Sequence, residues 1–166
     1  FKQQSADVQD FLIKTSILER LTGELCDAIA ERSGSQELIE ALDQANLFIV
    51  PLDQTRTWYR YHHLFSEFLS HRLRLSTTGV EGTLHQIASR WFENQGFLND
   101  AIYHALAGQD WVHAAHLIGQ ILGDKLKLGE TITIINWFKN MPEQIVLALP
   151  ELGLGYAWAL LLVSKL

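Results

Sequence analysis

The sequence predicts a mostly α-helical chain, in which a winged-helix domain with a short β-hairpin is followed by antiparallel helical pairs of a tetratricopeptide-like superhelix. Three observations support this fold class. Apolar residues recur at helical spacing up to residue 45 and again from residue 64. Between these stretches the pattern changes to the alternation of a strand. Beyond residue 82 the periodicity is helical throughout with short loops, which favours antiparallel pairs.

The first three helices are predicted from their capping residues and apolar faces. Ser5 and Thr22 each precede an amphipathic stretch, and a hydroxyl there can accept a hydrogen bond from a free backbone N–H of the first turn. Ser33 and Gln36 have the spacing of a capping box, which predicts the start of the third helix. Asn46 is suited to end that helix.

A hairpin and a fourth helix follow. Residues 47–52 predict a short strand, residues 53–56 a polar turn, and residues 57–61 a second strand with two different faces. Helical spacing then resumes at Leu64, Phe65, Phe68, Leu69 and Leu73. Three helices, a hairpin and a helix form the element order of a winged-helix domain.

The chain is predicted to contain two domains. Residues 76–82 are small and polar and include two glycines, which indicates a linker. We therefore assign the winged helix to residues 1–76 and the start of the helical repeats to residues 77–166. The segment ASRWFENQGFLNDAIYHAL has the rhythm of small, aromatic and glycine residues that is typical of tetratricopeptide-like repeats.

Composition limits the possible functions. The chain has 166 residues and a net charge of −6, which disfavours binding to nucleic acid by a basic surface. Cys26 is the single cysteine, so no internal disulfide can form, and the longest apolar run is shorter than a membrane span. We expect a cytoplasmic protein. Because Phe1 is not a start methionine, we also expect a fragment of a longer chain.

The third helix of a winged-helix domain is normally the one that enters the DNA major groove. Here it has Glu37, Glu40 and Asp43 and no lysine or arginine, while the hairpin has only Arg56 and Arg60. Carboxylates facing a phosphate backbone oppose binding. We expect this segment not to bind nucleic acid directly.

His62 and His63 lie at the predicted junction between the second strand and the fourth helix. Free backbone N–H groups and the helix dipole at this position suit a phosphate, to which a histidine could donate a hydrogen bond. The alternative is structural: one histidine caps the helix and the other packs against Trp58 or Tyr61. The residues alone leave both interpretations open.

The chain resembles a known family over most of its length. The segments FLIKTSILERLTGELCDAI, LIEALDQANLFIVPLD, WYRYHHLFSEFL and ASRWFENQGFLNDAIYHALAGQDWVHAAHLI occur in the same order in large ATP-dependent regulators of the MalT type. These are signal-transduction ATPases, and many carry a LuxR-type DNA-binding domain at their C-terminus. In the family, a P-loop ATPase domain precedes the winged helix, and a superhelical sensor domain follows it.

The resemblance implies a regulatory role without catalysis. This sequence has no P-loop motif, so we predict no catalytic residues and no cofactor of its own, with ATP or ADP bound by the full-length protein. The implied partners are the protein's own ATPase domain and a small-molecule or protein inducer on the repeats. Activation would lead to self-association.

Related ATPases carry a Met-His-Asp motif whose histidine contacts the phosphate of ADP. Tyr61-His62-His63-Leu64 looks like the local equivalent, although the first and third positions of the motif differ. The resemblance therefore implies that His62 contacts the ADP phosphate in the full-length protein, or His63 if the register shifts by one residue.

Two other interpretations remain. The chain could be a helical-repeat scaffold for protein–protein interaction without nucleotide sensing, or an accessory domain that docks onto an enzyme. His113 and His116 have a spacing that can bind a metal, but no third ligand is apparent, so we predict a solvated helix face and no metal site. Cys26 lies on an apolar helix face and is predicted to be a core residue.

Overall fold

The computed structural model describes residue 1 and residues 4–46, 48–76 and 79–163. The chain divides into two compact units, Phe1–Ala88 and Ser89–Leu166. The division lies twelve residues beyond residue 76, the predicted end of the first domain. Thr77 and Thr78, which follow that predicted end, are outside the described residues. The domain limits of 1–76 and 77–166 stay a prediction.

The first unit has the predicted order of elements, with a hairpin between the third and fourth helices. In the hairpin, Ile49 pairs with Tyr61 and Pro51 with Tyr59. Leu21 adds an antiparallel bridge to Tyr59 that the sequence did not predict. The elements are α1 (Ala6–Thr15), α2 (Gly23–Ala30), α3 (Ser35–Gln44), β1 (Ile49–Pro51), β2 (Tyr59–Tyr61), α4 (His63–Ser76) and the first part of α5 (Val80–Asn94).

Two of the three predicted helix caps are confirmed. Ser5 accepts a hydrogen bond from the Val8 N–H, and Thr22 accepts one from the Leu25 N–H. The predicted capping box at Ser33 and Gln36 is wrong. Gly34 is the N-cap of α3, with a φ of 81°, and makes no side-chain cap.

The start of α3 is held by a neighbouring helix. The Ser35 N–H donates to the Asp27 carboxylate of α2 at 2.9 Å. This contact satisfies one of the free N–H groups of the first turn, as a local cap would. Because the acceptor lies on another helix, the spacing of residues around Ser33 could not predict it.

The core of the first unit lies between the helices and the inner face of the hairpin. Tyr59 and Tyr61 are buried and Arg60 between them is exposed, which confirms the predicted alternation of this strand. The polar turn is also confirmed, since the Asp53 carboxylate accepts hydrogen bonds from the backbone N–H groups of Thr57 and Trp58. The connection between α1 and α2 contributes Leu18, and the helices contribute Phe11, Leu12, Leu25, Cys26, Ile29, Ile39, Leu42, Leu69 and Leu73.

All the secondary-structure elements described in the second unit are helices, joined by short turns. After the end of α5 this unit contains α6 (Leu98–Ala107), α7 (Trp111–Lys127), α8 (Thr131–Lys139), α9 (Glu143–Ala148) and α10 (Pro150–Val163). Helix α6 packs on α7, and α10 packs on both α7 and α8. His104 stacks on Phe92 with ring centroids 5.3 Å apart. This arrangement agrees with the predicted helical repeats.

Three predicted boundaries need correction. The second strand was predicted at residues 57–61 and is Tyr59–Tyr61 in the structure. The linker at residues 76–82 is wrong in its second half, because Val80 to Gly82 form the first turn of α5. The hydrogen bonds of this helix stabilise it by more than the roughly 1 kcal/mol that one glycine costs in a helix relative to alanine. The first strand was predicted at residues 47–52 and is Ile49–Pro51 in the structure, while Leu47 lies outside the described residues. No helix in the described ranges is long and apolar enough to cross a membrane.

Candidate functional site

His62 lies where β2 ends and α4 begins. Its carbonyl oxygen accepts hydrogen bonds from the N–H groups of Phe65 and Ser66, both at 2.9 Å. Its own N–H donates to the Phe48 carbonyl oxygen at 2.7 Å. These bonds make His62 the N-terminal capping residue of α4 through its backbone, and the residue is exposed.

The first turn of α4 offers hydrogen-bond donors. The backbone N–H groups of His63 and Leu64 have no acceptor within the described part of the chain. No acidic residue lies in this turn. His63 Nε2 lies 3.7 Å from Glu67 Oε1, and both side chains are more than half exposed, so the pair adds little stability. The donors and the helix dipole together suit an anion.

An exposed aromatic surface lies beside this turn. It consists of Phe1, Phe48, Phe65 and Phe68, and we call it the α4 aromatic surface. Phe48 stacks on Phe65 at 4.9 Å, Phe65 on Phe68 at 6.3 Å, and Phe1 meets Phe68 edge-on at 5.4 Å. Phe48 is 52% exposed and Phe68 is 43% exposed. Contiguous apolar surface of this kind commonly marks an interaction site.

The backbone of Phe48 is unusual. Its φ is +60°, a conformation that is rare for a bulky side chain. This conformation places the Phe48 carbonyl against His62 and the Phe48 ring against Phe65. Phe48 therefore connects the start of the hairpin with the first turn of α4.

A buried hydrogen bond fixes the strand that precedes His62. Tyr61 Oη lies 2.6 Å from Thr15 Oγ1 of α1, and both residues are buried. Burial raises the pKa of the Tyr61 phenol well above its usual range, so the group stays neutral. This contact ties the end of β2 to α1, and so it limits where His62 can lie.

Both predicted site residues, His62 and His63, are exposed at the start of α4. The structural alternative holds for the backbone of His62, which caps the helix, whereas neither residue is buried against Trp58 or Tyr61. The apolar stripe predicted on α4 is only partly buried. Leu69 and Leu73 are buried, whereas Phe68 is exposed. The aromatic surface was not predicted, because Phe48 reaches it through a left-handed turn that has no sequence periodicity.

The outer face of α3 is acidic, as predicted. Glu37 and Glu40 are exposed, and Asp43 forms an ion pair with Arg56 at 3.3 Å. Arg56 is therefore partly neutralised where it could otherwise have met a phosphate. Arg60 remains exposed on the hairpin.

The remaining candidate residues have structural surroundings. The solvated face predicted for His116 is confirmed, but it is wrong for His113, whose Nε2 lies 3.4 Å from Glu93 Oε2 with a mostly covered side chain. Within the described residues, no three His, Cys, Asp or Glu side chains are grouped as a metal site needs. Cys26 is confirmed as a core residue, and burial raises the pKa of its thiol.

Three helices, a hairpin and a fourth helix, followed by packed helical pairs, define a winged-helix domain joined to helical repeats. Comparison with known proteins gives a match to a described family model. Residues 1–81 match the MalT winged helix domain.

Curated relatives match beyond the winged helix. The chain is 29% identical over 159 residues to the serine/threonine-protein kinase PknK of Mycobacterium tuberculosis, covering 96% of this chain and 14% of that protein. It is 29% identical over 152 residues to the HTH-type transcriptional regulator MalT of Vibrio parahaemolyticus, covering 92% of this chain and 17% of that protein. The chain thus spans about one sixth of the length of these relatives.

Proposed function

We propose that this chain is the regulatory and interaction module of a MalT-like ATP-dependent transcriptional activator, and that it couples nucleotide state to inducer sensing. The observation that carries the proposal is the start of α4, where the exposed His62 lies beside the α4 aromatic surface and two backbone N–H groups that have no acceptor among the described residues. In this proposal the chain is cytoplasmic, and it neither catalyses a reaction nor binds DNA directly.

The two kinds of relative support a role in regulation. One is named as a protein kinase and the other as a transcriptional regulator, yet this segment aligns with both over nearly its whole length. A segment found in two proteins with different activities is expected to serve a function that both proteins need, and control of activity is such a function. We therefore assign signal coupling to this chain and the output to other domains of the full-length protein.

The donor set at the start of α4 fits a phosphate. A ring N–H of His62 and the backbone N–H groups of His63 and Leu64 are all donors, and the first turn of α4 has no acidic residue. We propose that His62 donates to the phosphate of ADP held by the ATPase domain, with the His63 side chain as the second candidate. ADP supplies the negative charge that joins the two domains.

The α4 aromatic surface supplies the apolar part of the same contact. Phe48 and Phe68 are substantially exposed here, and burial against the protein's own ATPase domain would remove them from water. The phosphate contact then makes this docking depend on the nucleotide. Phe48, which also touches the backbone of His62, links the two parts.

The proposed mechanism is a shift between two populations. The ADP-bound protein favours a closed, monomeric state in which α4 is docked. Exchange to ATP, together with an inducer on the helical repeats, favours an open state that self-associates. Each ligand acts only through its different affinity for the two states.

The test replaces His62 with alanine in the full-length protein, and His71→Ala serves as the control. His71 is an exposed histidine further along α4. We expect His62→Ala to release ADP faster and to raise basal output, while His71→Ala changes neither. If His62→Ala retains ADP as the unaltered protein does and basal output stays low, the nucleotide-sensing role is refuted.

A second candidate function is a helical-repeat scaffold for protein–protein interaction without nucleotide sensing. The open cleft between helices of the second unit favours it. Under this alternative, the His62→Ala variant would bind its protein partner and its nucleotide normally.

A further inference from the structure

The second unit contains a cleft between α6 and α8, both of which pack on α7. The cleft has a volume of ≈ 560 Å³, within the range of roughly 300–1,000 Å³ found for ligand sites. Its walls include Tyr103, Gln109, Trp111, Asn136, Trp137 and Asn140.

The cleft is uncharged. Among the described residues that line it, none is an acid, a lysine, an arginine or a histidine. Burying a charged group here would cost free energy without a compensating partner. The chemistry therefore selects a neutral occupant and disfavours a nucleotide or an acidic peptide.

Two amide side chains lie one turn apart on the same wall. Asn136 lies in α8, and Asn140 is the C-terminal capping residue of this helix four positions later, or about 6 Å further along the helix axis. Alternate residues of an extended peptide are separated by about 6.6–6.8 Å. An asparagine amide both donates and accepts, so it can pair with a backbone peptide group on both sides.

These amides are available for a ligand. Asn140 Nδ2 donates to the Asn136 carbonyl oxygen at 2.9 Å, which uses one of its donors and leaves its side-chain oxygen. The side-chain amide of Asn136 forms no hydrogen bond with another described residue. Both asparagines are exposed, so a ligand can reach their side chains without a conformational change in α8.

The turn before α7 contributes a third amide at an energetic cost. Gln109 has a φ of +55°, whereas Gly108 before it has a φ of −79°. A left-handed residue at the end of a helix is usually glycine, and another residue costs about 1 kcal/mol there. The strained position directs a glutamine, rather than a glycine, to the cleft.

The aromatic residues supply apolar walls. Trp137 is 8% exposed and forms part of the inner surface, while Tyr103 is 48% exposed near the opening. Apolar side chains of an extended segment could pack against these rings while its backbone meets the amides.

We propose that this cleft binds a short, uncharged, extended peptide segment of a partner protein, with Asn136 and Asn140 pairing with its backbone at alternate residues. The inference deepens the proposed function and rests on its assignment of inducer sensing to the helical repeats. It identifies the inducer as a protein and gives the chemistry of the segment that is recognised.

The experiment pans a phage-displayed library of short uncharged peptides against the full-length protein. Fluorescence polarisation then measures the Kd of an enriched peptide for the unaltered protein and for the Asn136→Ala/Asn140→Ala double variant. Gln120→Ala is the control, because Gln120 is exposed on α7 and does not line the cleft. We expect the double variant to bind about tenfold more weakly and the control to bind normally.

Failure to enrich any peptide would overturn the proposal, as would equal affinity of the double variant with an unchanged circular dichroism spectrum. The assay contains no nucleotide, and His62→Ala is expected to leave peptide affinity unchanged. A negative result here is therefore distinct from a negative result for nucleotide sensing, which is measured by ADP retention.

Discussion

The buried hydrogen bond between Thr15 and Tyr61 is expected to respond differently to the loss of each partner. The Thr15 hydroxyl donates to the Phe11 carbonyl oxygen at 2.7 Å, so in the 2.6 Å contact Tyr61 must be the donor. Thr15→Val leaves the Tyr61 hydroxyl buried without an acceptor, which costs about 1–3 kcal/mol. Tyr61→Phe removes the donor while Thr15 keeps its bond to Phe11, and the expected cost is about 1 kcal/mol.

The double variant supplies the decisive comparison. Replacing both partners removes the unsatisfied hydroxyl, so the Thr15→Val/Tyr61→Phe variant should be more stable than the sum of the single changes by about 1 kcal/mol or more. Urea-induced unfolding followed by circular dichroism measures the three free energies of unfolding. Additive effects within about 0.5 kcal/mol, or a smaller cost for Thr15→Val than for Tyr61→Phe, would refute this account of the contact.

Two further predictions concern glycine packing and pH. Gly23→Ala should lower the free energy of unfolding by about 1–3 kcal/mol, because the added Cβ atom would lie 2.7 Å from Gln36 Cβ. Gly123→Ala should raise the free energy of unfolding by about 1 kcal/mol, because an added Cβ atom there has nothing within 4 Å. Equal effects of the two substitutions in urea-induced unfolding would contradict this prediction. Burial lowers the pKa of His85 to about 4, so the unfolded chain binds the extra proton and stability should fall by up to about 3 kcal/mol as the pH drops from about 6.5 to 4. His85→Gln should abolish this fall and His71→Gln should not, as thermal unfolding across that pH range would show.

Local interactions were predictable from the sequence. Ser5 and Thr22 cap their helices through hydrogen bonds that span only three residues, so the spacing contains the needed information. The alternation of Tyr59 and Tyr61 with Arg60 similarly predicted which face of the second strand is buried. These features established the winged helix before its packing was known.

Features that depend on distant residues were not predictable. The cap of α3 comes from Asp27 on another helix, and the bridge from Leu21 to Tyr59 joins residues far apart in the chain. The position of Phe48 depends on a left-handed backbone conformation that side-chain periodicity does not reveal.

The candidate site was predicted only in part. The sequence placed His62 and His63 at the start of α4, and the resemblance to known ATPases suggested a phosphate contact. The sequence did not predict the exposed aromatic rings beside these histidines, because Phe68 belongs to the same helical spacing as the buried Leu69 and Leu73. Similarly, the cleft in the second unit depends on how α6 and α8 pack on α7, which their individual patterns do not specify.

The most direct test of the central claim compares ADP with adenosine by isothermal titration calorimetry on the full-length protein and its His62→Ala variant. Because His62 is proposed to contact the phosphate, we predict that the variant binds ADP about tenfold more weakly, or weaker still, and adenosine with unchanged affinity. Equal ADP affinity in the two proteins, or an equal loss for ADP and adenosine, would contradict the account.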